Sequence, residues 1–136
     1  MGVSAYLSFP GTCEEALRFY VDCLNGEILA MNAWGTSPMA SQMPPGWQDK
    51  ILHGRIRIAD TVLMGSDAPP DRYQAPKGTS LALTVADPAE AERAFNALAQ
   101  GGTVGMPLQK TFWSERFGML VDRYGMAWMV NCEATG

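Results

Sequence analysis

The chain has 136 residues, of which 47% are hydrophobic and 18% charged, and a formal net charge of −4. That is the length of one compact domain with enough apolar material for a core, and the acidic balance excludes the basic footprint of a nucleic-acid binder. No apolar run approaches the ~20 residues that cross a bilayer, no basic amphipathic stretch suggests a membrane surface, and "MGVSAYLSF" lacks the basic and apolar regions of a signal peptide, so a cytoplasmic chain is expected.

In chain order, "AYLSF" reads as a short strand and "TCEEALRFYVDCL" as a helix. Thr12 is the expected N-cap with Glu15 three residues on, a capping-box pattern. Ala16, Phe19, Tyr20, Cys23 and Leu24 form the apolar stripe, and Gly26 closes the helix. Cys13 and Cys23 lie on this helix about 15 Å apart at ~1.5 Å per residue, too far to bridge. With Cys132 they make an odd count without a CxxC pair, the pattern of free thiols. Cys13, at the helix start, is the one whose thiolate the helix N-terminus would favour.

Extended segments follow in "EILAMN", "ILHGRIRI" and "TVLMGS", with a tight turn at Ala59-Asp60. Residues 33–50 form a long irregular stretch that reads as a lid, a partner contact or a disordered surface segment, with Trp47 and the methionines favouring part-time burial. After a proline-rich join at 68–78 the plan returns. "TSLALTV" is a strand and "DPAEAERAFNALA" a helix with Asp87 as N-cap, Pro88 at its first position and Glu90 three residues after the cap. Its stripe is Ala91, Ala94, Phe95, Leu98 and Ala99, each 75 positions after a counterpart (16 to 91, 24 to 99), with Gly101 after the helix as Gly26 follows the first. "TVGMPLQ", "FGMLVD" and "AWMVNC" are the closing strands. The chain is therefore an α+β protein that writes βαβββ twice, unit one about 1–74 and unit two about 75–136, within a single domain spanning 1–136.

Paired βαβββ units carrying "YLSFPGTCEEALRFYVDCLNGE", "MGSDAPP" and "TFWSERFGMLVDRYGMAWMVN" resemble the vicinal oxygen chelate superfamily of glyoxalases, bleomycin-resistance proteins and dioxygenases, most closely its PhnB-like branch. The resemblance runs along nearly the whole chain. It implies a curved mixed sheet and a homodimer. In metal-dependent superfamily members four His, Glu or Gln ligands come from the first and last strands of each unit. Carried over by motif, those places fall on Ala5, Met64, Ser80 and Met129. None suits a hard or borderline divalent cation, since a thioether, a methyl and a hydroxyl are poor donors. The flanking positions supply no imidazole or acid, and the one histidine, His53, lies on another strand. No metal and no cofactor are expected.

Because strand side chains alternate, Leu7, Phe9, Val62, Ala82, Thr84, Ala127 and Asn131 are expected on the same concave surface as those four. They either line a pocket for a small, largely apolar molecule or pack against one another as core. Trp113 in "TFWSERFG" is placed to stack on a ligand with Glu115 or Arg116 as a polar handle, or, with Phe112 and Phe117, to cap the core. Asp122 and Gly125 read as a hairpin turn rather than a catalytic pair. Arg55 and Arg57 share a strand face with His53, which fits either an anion site or a solvated edge. No strand with a glycine-rich loop and helix is present to hold an adenosyl cofactor. Metal-free binding of a small molecule is the leading expectation. A metal-dependent glyoxalase- or dioxygenase-like enzyme, and a dimeric structural or regulatory protein without ligand, are the alternatives.

Overall fold

Alternation at the start of the chain produces a strand, Tyr6–Phe9 (β1), and the 3.6-residue apolar period that follows produces a helix, Cys13–Leu24 (α1). The computed structural model describes residues 1–133 and separates into two units, one covering Met1–Ala75 and the other beginning at Pro76. Unit one continues with Glu27–Ala33 (β2), Ile51–Ile58 (β3) and Thr61–Asp67 (β4) in a sheet ordered β1-β4-β3-β2. Unit two consists of Leu81–Val85 (β5), Pro88–Ala99 (α2), Thr103–Gln109 (β6), Ser114–Val121 (β7) and Ala127–Glu133 (β8), ordered β5-β8-β7-β6. In each sheet the first strand runs parallel to the last and the other pairings are antiparallel. This is the expected βαβββ pattern in both units.

The core of each unit lies between its helix and one face of its sheet. On α1 the buried side chains are Cys13, Ala16, Leu17, Tyr20 and Cys23, so the stripe turns toward Leu17 and leaves Phe19 and Leu24 only half-buried. On α2 they are Ala91, Ala94, Phe95 and Leu98. Sheet glycines let the helices approach. A Cβ on Gly54 would stand 2.6 Å from Leu17 Cδ1, and one on Gly118 would stand 2.7 Å from Phe95 Cε2. Fully burying side chains such as Leu17, Ile56, Leu98 and Val130 contributes about 1.5–3 kcal/mol each.

The helix ends differ from the sequence reading in two places. Asp87 caps α2 as expected, its side chain accepting from Ala89 N–H. Thr12 makes no side-chain cap bond. The first turn of α1 is served instead by Asp67, at the end of β4, whose Oδ1 accepts from Gly11 N–H at 3.0 Å and Cys13 N–H at 2.8 Å. At the other end Asn25, not Gly26, takes the left-handed conformation (φ 53°). Gly26 is required for a different reason, because a Cβ there would lie 2.4 Å from the Arg57 carbonyl oxygen.

The 33–50 segment contains short 3-10 turns at Trp34–Thr36 and Ala40–Gln42. Backbone bonds from Trp34 to Lys50 and from Gly35 to Gln48 close its base. The Trp34 indole donates to the Asp67 carbonyl.

Candidate functional site

One face of each sheet is covered by its helix, and the opposite face is where a site can form. Register decides which residues lie there. In unit two Leu81, Leu83 and Val85 pair with Trp128, Val130 and Cys132 on the helix side. Ala82, Thr84, Met129 and Asn131 therefore face away from α2, and Ser80 and Ala127 share their phase. Phe117, Met119 and Val121 pair with Asn131, Met129 and Ala127 and join this face. Its polar members are Ser80, Thr84 and Asn131, with Thr103 and Gln109 of β6 paired to Val121 and Phe117. Asn131 Oδ1 is buried and has no hydrogen-bond partner among the described residues.

Unit one requires a correction. Leu7 pairs with Gly65, and a Cβ on Gly65 would meet Phe9 Cε2 at 3.3 Å and Cys13 Sγ at 3.4 Å, so this phase points at α1. Phe9 is fully buried in the core, and Ala5 and Leu7 share its side of the strand. The open face instead shows Tyr6 and Ser8 from β1, with Val62, Met64 and Ser66 from β4. The physical cause is chain length. From Phe9 to the first helical residue, Cys13, is one position longer than from Val85 to Pro88. Because side chains alternate, one residue exchanges the two faces. Tyr6, paired with Met64, corresponds to Ala82, paired with Met129, at a spacing of 76 (6 to 82) rather than 75.

The open face of unit one is polar. Tyr6 Oη lies 3.0 Å from His53 Nδ1, and the two rings stack with centroids 5.7 Å apart. Asn32 pairs across from His53, and Met64 pairs with both Tyr6 and Arg55. Arg57 is held in an ion pair by Glu27. Arg55 is exposed, and its side chain forms no ion pair or hydrogen bond with the described residues.

The remaining candidates fall outside these faces or on their margin. Glu115, Arg116 and Phe117 belong to β7 rather than to a connection. Arg116 is paired with Glu92 of α2 at 3.2 Å, and Glu115 lies 4.0 Å from Lys110, so both charges are engaged. Trp113 is half exposed and sits edge-on to Phe112 and to Phe117, which connects it to the open face of unit two, while Phe112 is almost fully exposed and caps no core. Asp122 is buried in its turn, accepting from Tyr124 N–H, Met126 N–H and the Trp128 indole, with Gly125 at φ 89°. Cys13 is no activated nucleophile. Burial, reinforced by the charges of Asp67 and Glu14, pushes its thiol far above the ordinary range. All three cysteines are buried.

The family model for 3-demethylubiquinone-9 3-methyltransferase matches residues 2–131. The chain belongs to that family. It is 36% identical to Protein YjdN of Escherichia coli (strain K12) over 139 residues, 96% of this chain and 95% of that one. Protein PA1353 from Pseudomonas aeruginosa is 48% identical, with 98% of each chain covered and a TM-score of 0.89. A PhnB protein from Bacillus cereus, a putative 3-demethylubiquinone-9 3-methyltransferase, is 26% identical, with 97% of this chain and 99% of that one covered and a TM-score of 0.83. A glyoxylase/bleomycin resistance protein/dioxygenase domain from Frankia sp. shares the fold alone, at 12% identity over 98% of each chain and a TM-score of 0.65. The PhnB-like resemblance and the glyoxalase/bleomycin-resistance fold are thereby established.

Neither activity in these names finds its usual equipment here. The metal ligands of the superfamily do not fit, because the strand positions carry Tyr6 or Ala5, Met64, Ser80 or Ala82, and Met129. Among the described residues no three His, Cys, Asp or Glu side chains come together in a metal-holding group. Each strand-to-helix connection carries at most one glycine, Pro10-Gly11-Thr12 in unit one and Ala86-Asp87 in unit two, which is no cradle for an adenosyl cofactor. Among the described residues no helix is long and apolar enough to cross a membrane.

Proposed function

We propose that this protein binds a small, largely apolar molecule on its open sheet faces without using a metal. The observation that carries the reading is Asn131. A buried acceptor without a donor costs about 1–3 kcal/mol, and Asn131 Oδ1 is such an atom, set beside Phe117, Thr84 and Met129 on the face that α2 leaves uncovered. A ligand hydroxyl or N–H placed there would satisfy it, while the methionine and phenylalanine side chains hold an apolar body. An apolar wall with a few placed polar groups is the usual composition of a small-molecule site. Each face is taken by itself: the lining proposed on unit one is Val62 and Met64, and on unit two it is Ser80, Ala82, Thr84, Met129 and Asn131 with Trp113 at the margin. We assign no reaction.

Homodimerisation is part of this proposal, since a second copy is a common means of covering an uncovered sheet face. Sedimentation should give twice the mass of the chain. Ligand binding is tested by thermal shift against a panel of small acids, alcohols and quinones. A binder at 100 times its dissociation constant adds about 2.7 kcal/mol of stability, and Asn131→Leu should weaken any hydroxyl- or amide-bearing binder. Stoichiometric Ni, Zn, Mn or Fe in the purified protein would overturn the proposal in favour of a metalloenzyme. Absence of any shift across the panel would favour a structural or regulatory protein.

A further inference from the structure

The chain is acidic, yet its one histidine and two of its ten Lys and Arg residues alternate along β3 as His53, Arg55 and Arg57. Alternation puts all three on one side of the strand. That side is the open face, because the intervening Gly54 and Ile56 turn toward α1, as the closeness of Gly54 to Leu17 and the full burial of Ile56 require. Among the described residues the only acid that the strand pairings place on this face is Glu27, and Arg57 occupies it. Among the described residues Arg55 is left without a counterion, beside the thioether of Met64 and two positions from His53.

His53 is also oriented. Its Nδ1 is taken by the Tyr6 hydroxyl at 3.0 Å, and the rings stack at an interplanar angle of 29°. A fixed imidazole with one nitrogen engaged presents the other, Nε2, in one direction. Asn32, across from His53, adds a neutral amide, and Ser8 and Ser66 pair with each other on the same face.

We propose that Arg55, His53 as positioned by Tyr6, and Asn32 form a binding site for the oxyanion end, a carboxylate or a phosphoryl group, of a small molecule whose apolar body lies on Met64 and Val62. The inference rests on the reading that the open faces hold small molecules, and it adds the charge and the recognising residues. Arg55 supplies a charge and a planar pair of donors matched to two oxygens. His53 supplies a directional hydrogen bond through Nε2. Tyr6 is a positioning residue.

The single histidine makes the test direct, because its ring gives one set of NMR resonances. The wild-type protein is titrated with hexanoate, hexan-1-ol and inorganic phosphate while the His53 ring signals are followed. Hexanoate should shift them saturably and bind about fivefold to tenfold more tightly than hexan-1-ol. Arg55→Gln should reduce hexanoate to the affinity of the alcohol, and Arg57→Gln, which removes a guanidinium already paired with Glu27, should leave hexanoate binding unchanged. Tyr6→Phe should keep the ring stack, release Nδ1, change the 15N pattern of the imidazole and weaken hexanoate. A saturable response to phosphate that Arg55→Gln abolishes supports the site and extends it to phosphoryl groups; hexanoate alone supports it for carboxylates. Equal affinity for acid and alcohol, or hexanoate binding indifferent to Arg55→Gln, overturns the anion site and leaves apolar binding standing. Failure of every probe overturns both.

Discussion

Replacing Asp67 should destabilise unit one more than any surface change. The side chain is 1% exposed and its carboxylate accepts three backbone N–H groups, from Gly11 at 3.0 Å, Cys13 at 2.8 Å and Ile51 at 2.8 Å. It thereby ties the end of β4 to the start of α1 and to the start of β3. Hydrogen bonds to a charged acceptor contribute about 1.5–3 kcal/mol each, and a buried donor left without a partner costs about 1–3 kcal/mol. In Asp67→Ala the Cys13 and Ile51 donors stay buried and lose their acceptor, while Gly11 is near enough to water to recover part of its bond. The expected loss is about 3–5 kcal/mol, a large share of the 5–15 kcal/mol typical of a domain. Asp67→Asn keeps an oxygen for Gly11 and Cys13 but turns an amide NH2 toward the Ile51 N–H, for a loss of about 2–3 kcal/mol. With a urea dependence of about 2 kcal/mol per molar, the alanine variant should unfold roughly 2 M earlier than wild type by circular dichroism. An asparagine variant within about 0.5 kcal/mol of wild type would refute the reasoning, because the charge would then contribute nothing.

The raised thiol of Cys13 implies a pH dependence with a definite sign. The folded state keeps the proton and the unfolded state releases it near the ordinary value of 9.0, so its contribution is fully present below pH 9 and is lost as pH rises above it. Denaturant titrations above pH 9 should show stability falling by about 1.4 kcal/mol per pH unit for this group, and Cys13→Ala should remove that slope. Gly26→Ala should cost several kcal/mol, about what overpacking against a fixed backbone costs, since its Cβ would fall 2.4 Å from the Arg57 carbonyl oxygen. Gly125→Ala, at positive φ but in open space, should cost about 1 kcal/mol. Thermal denaturation of the two variants compares them directly.

Most of the architecture was legible in the sequence because each element carries its own local signal. The strand alternation, the Asp87-Pro88 start and the Asp122–Gly125 turn are decided by neighbours a few positions away and appear in the structure, as do the helix stripes apart from Phe19, Leu24 and Ala99 at their margins. Thr12 misled because a competing acceptor arrives from far along the chain, in Asp67. Phe9 misled because the 75-residue spacing of the helices does not carry over to the strands that precede them, and only the sheet register reveals the extra residue. Tyr6 escaped notice for the same reason. Its hydroxyl meets His53 across 47 positions, a pairing for which the sequence carries no local mark. Arg116 looked available because nothing in "TFWSERFG" announces Glu92 on α2.

The extra residue between β1 and α1 acts as a phase selector. The two halves follow one plan, and a change of one codon in a turn decides which set of strand side chains meets the helix and which meets the outside. A duplicated half can therefore acquire new surface chemistry without any substitution in its strand. On their open faces one half of the molecule displays a phenol beside an imidazole where the other displays a methyl group.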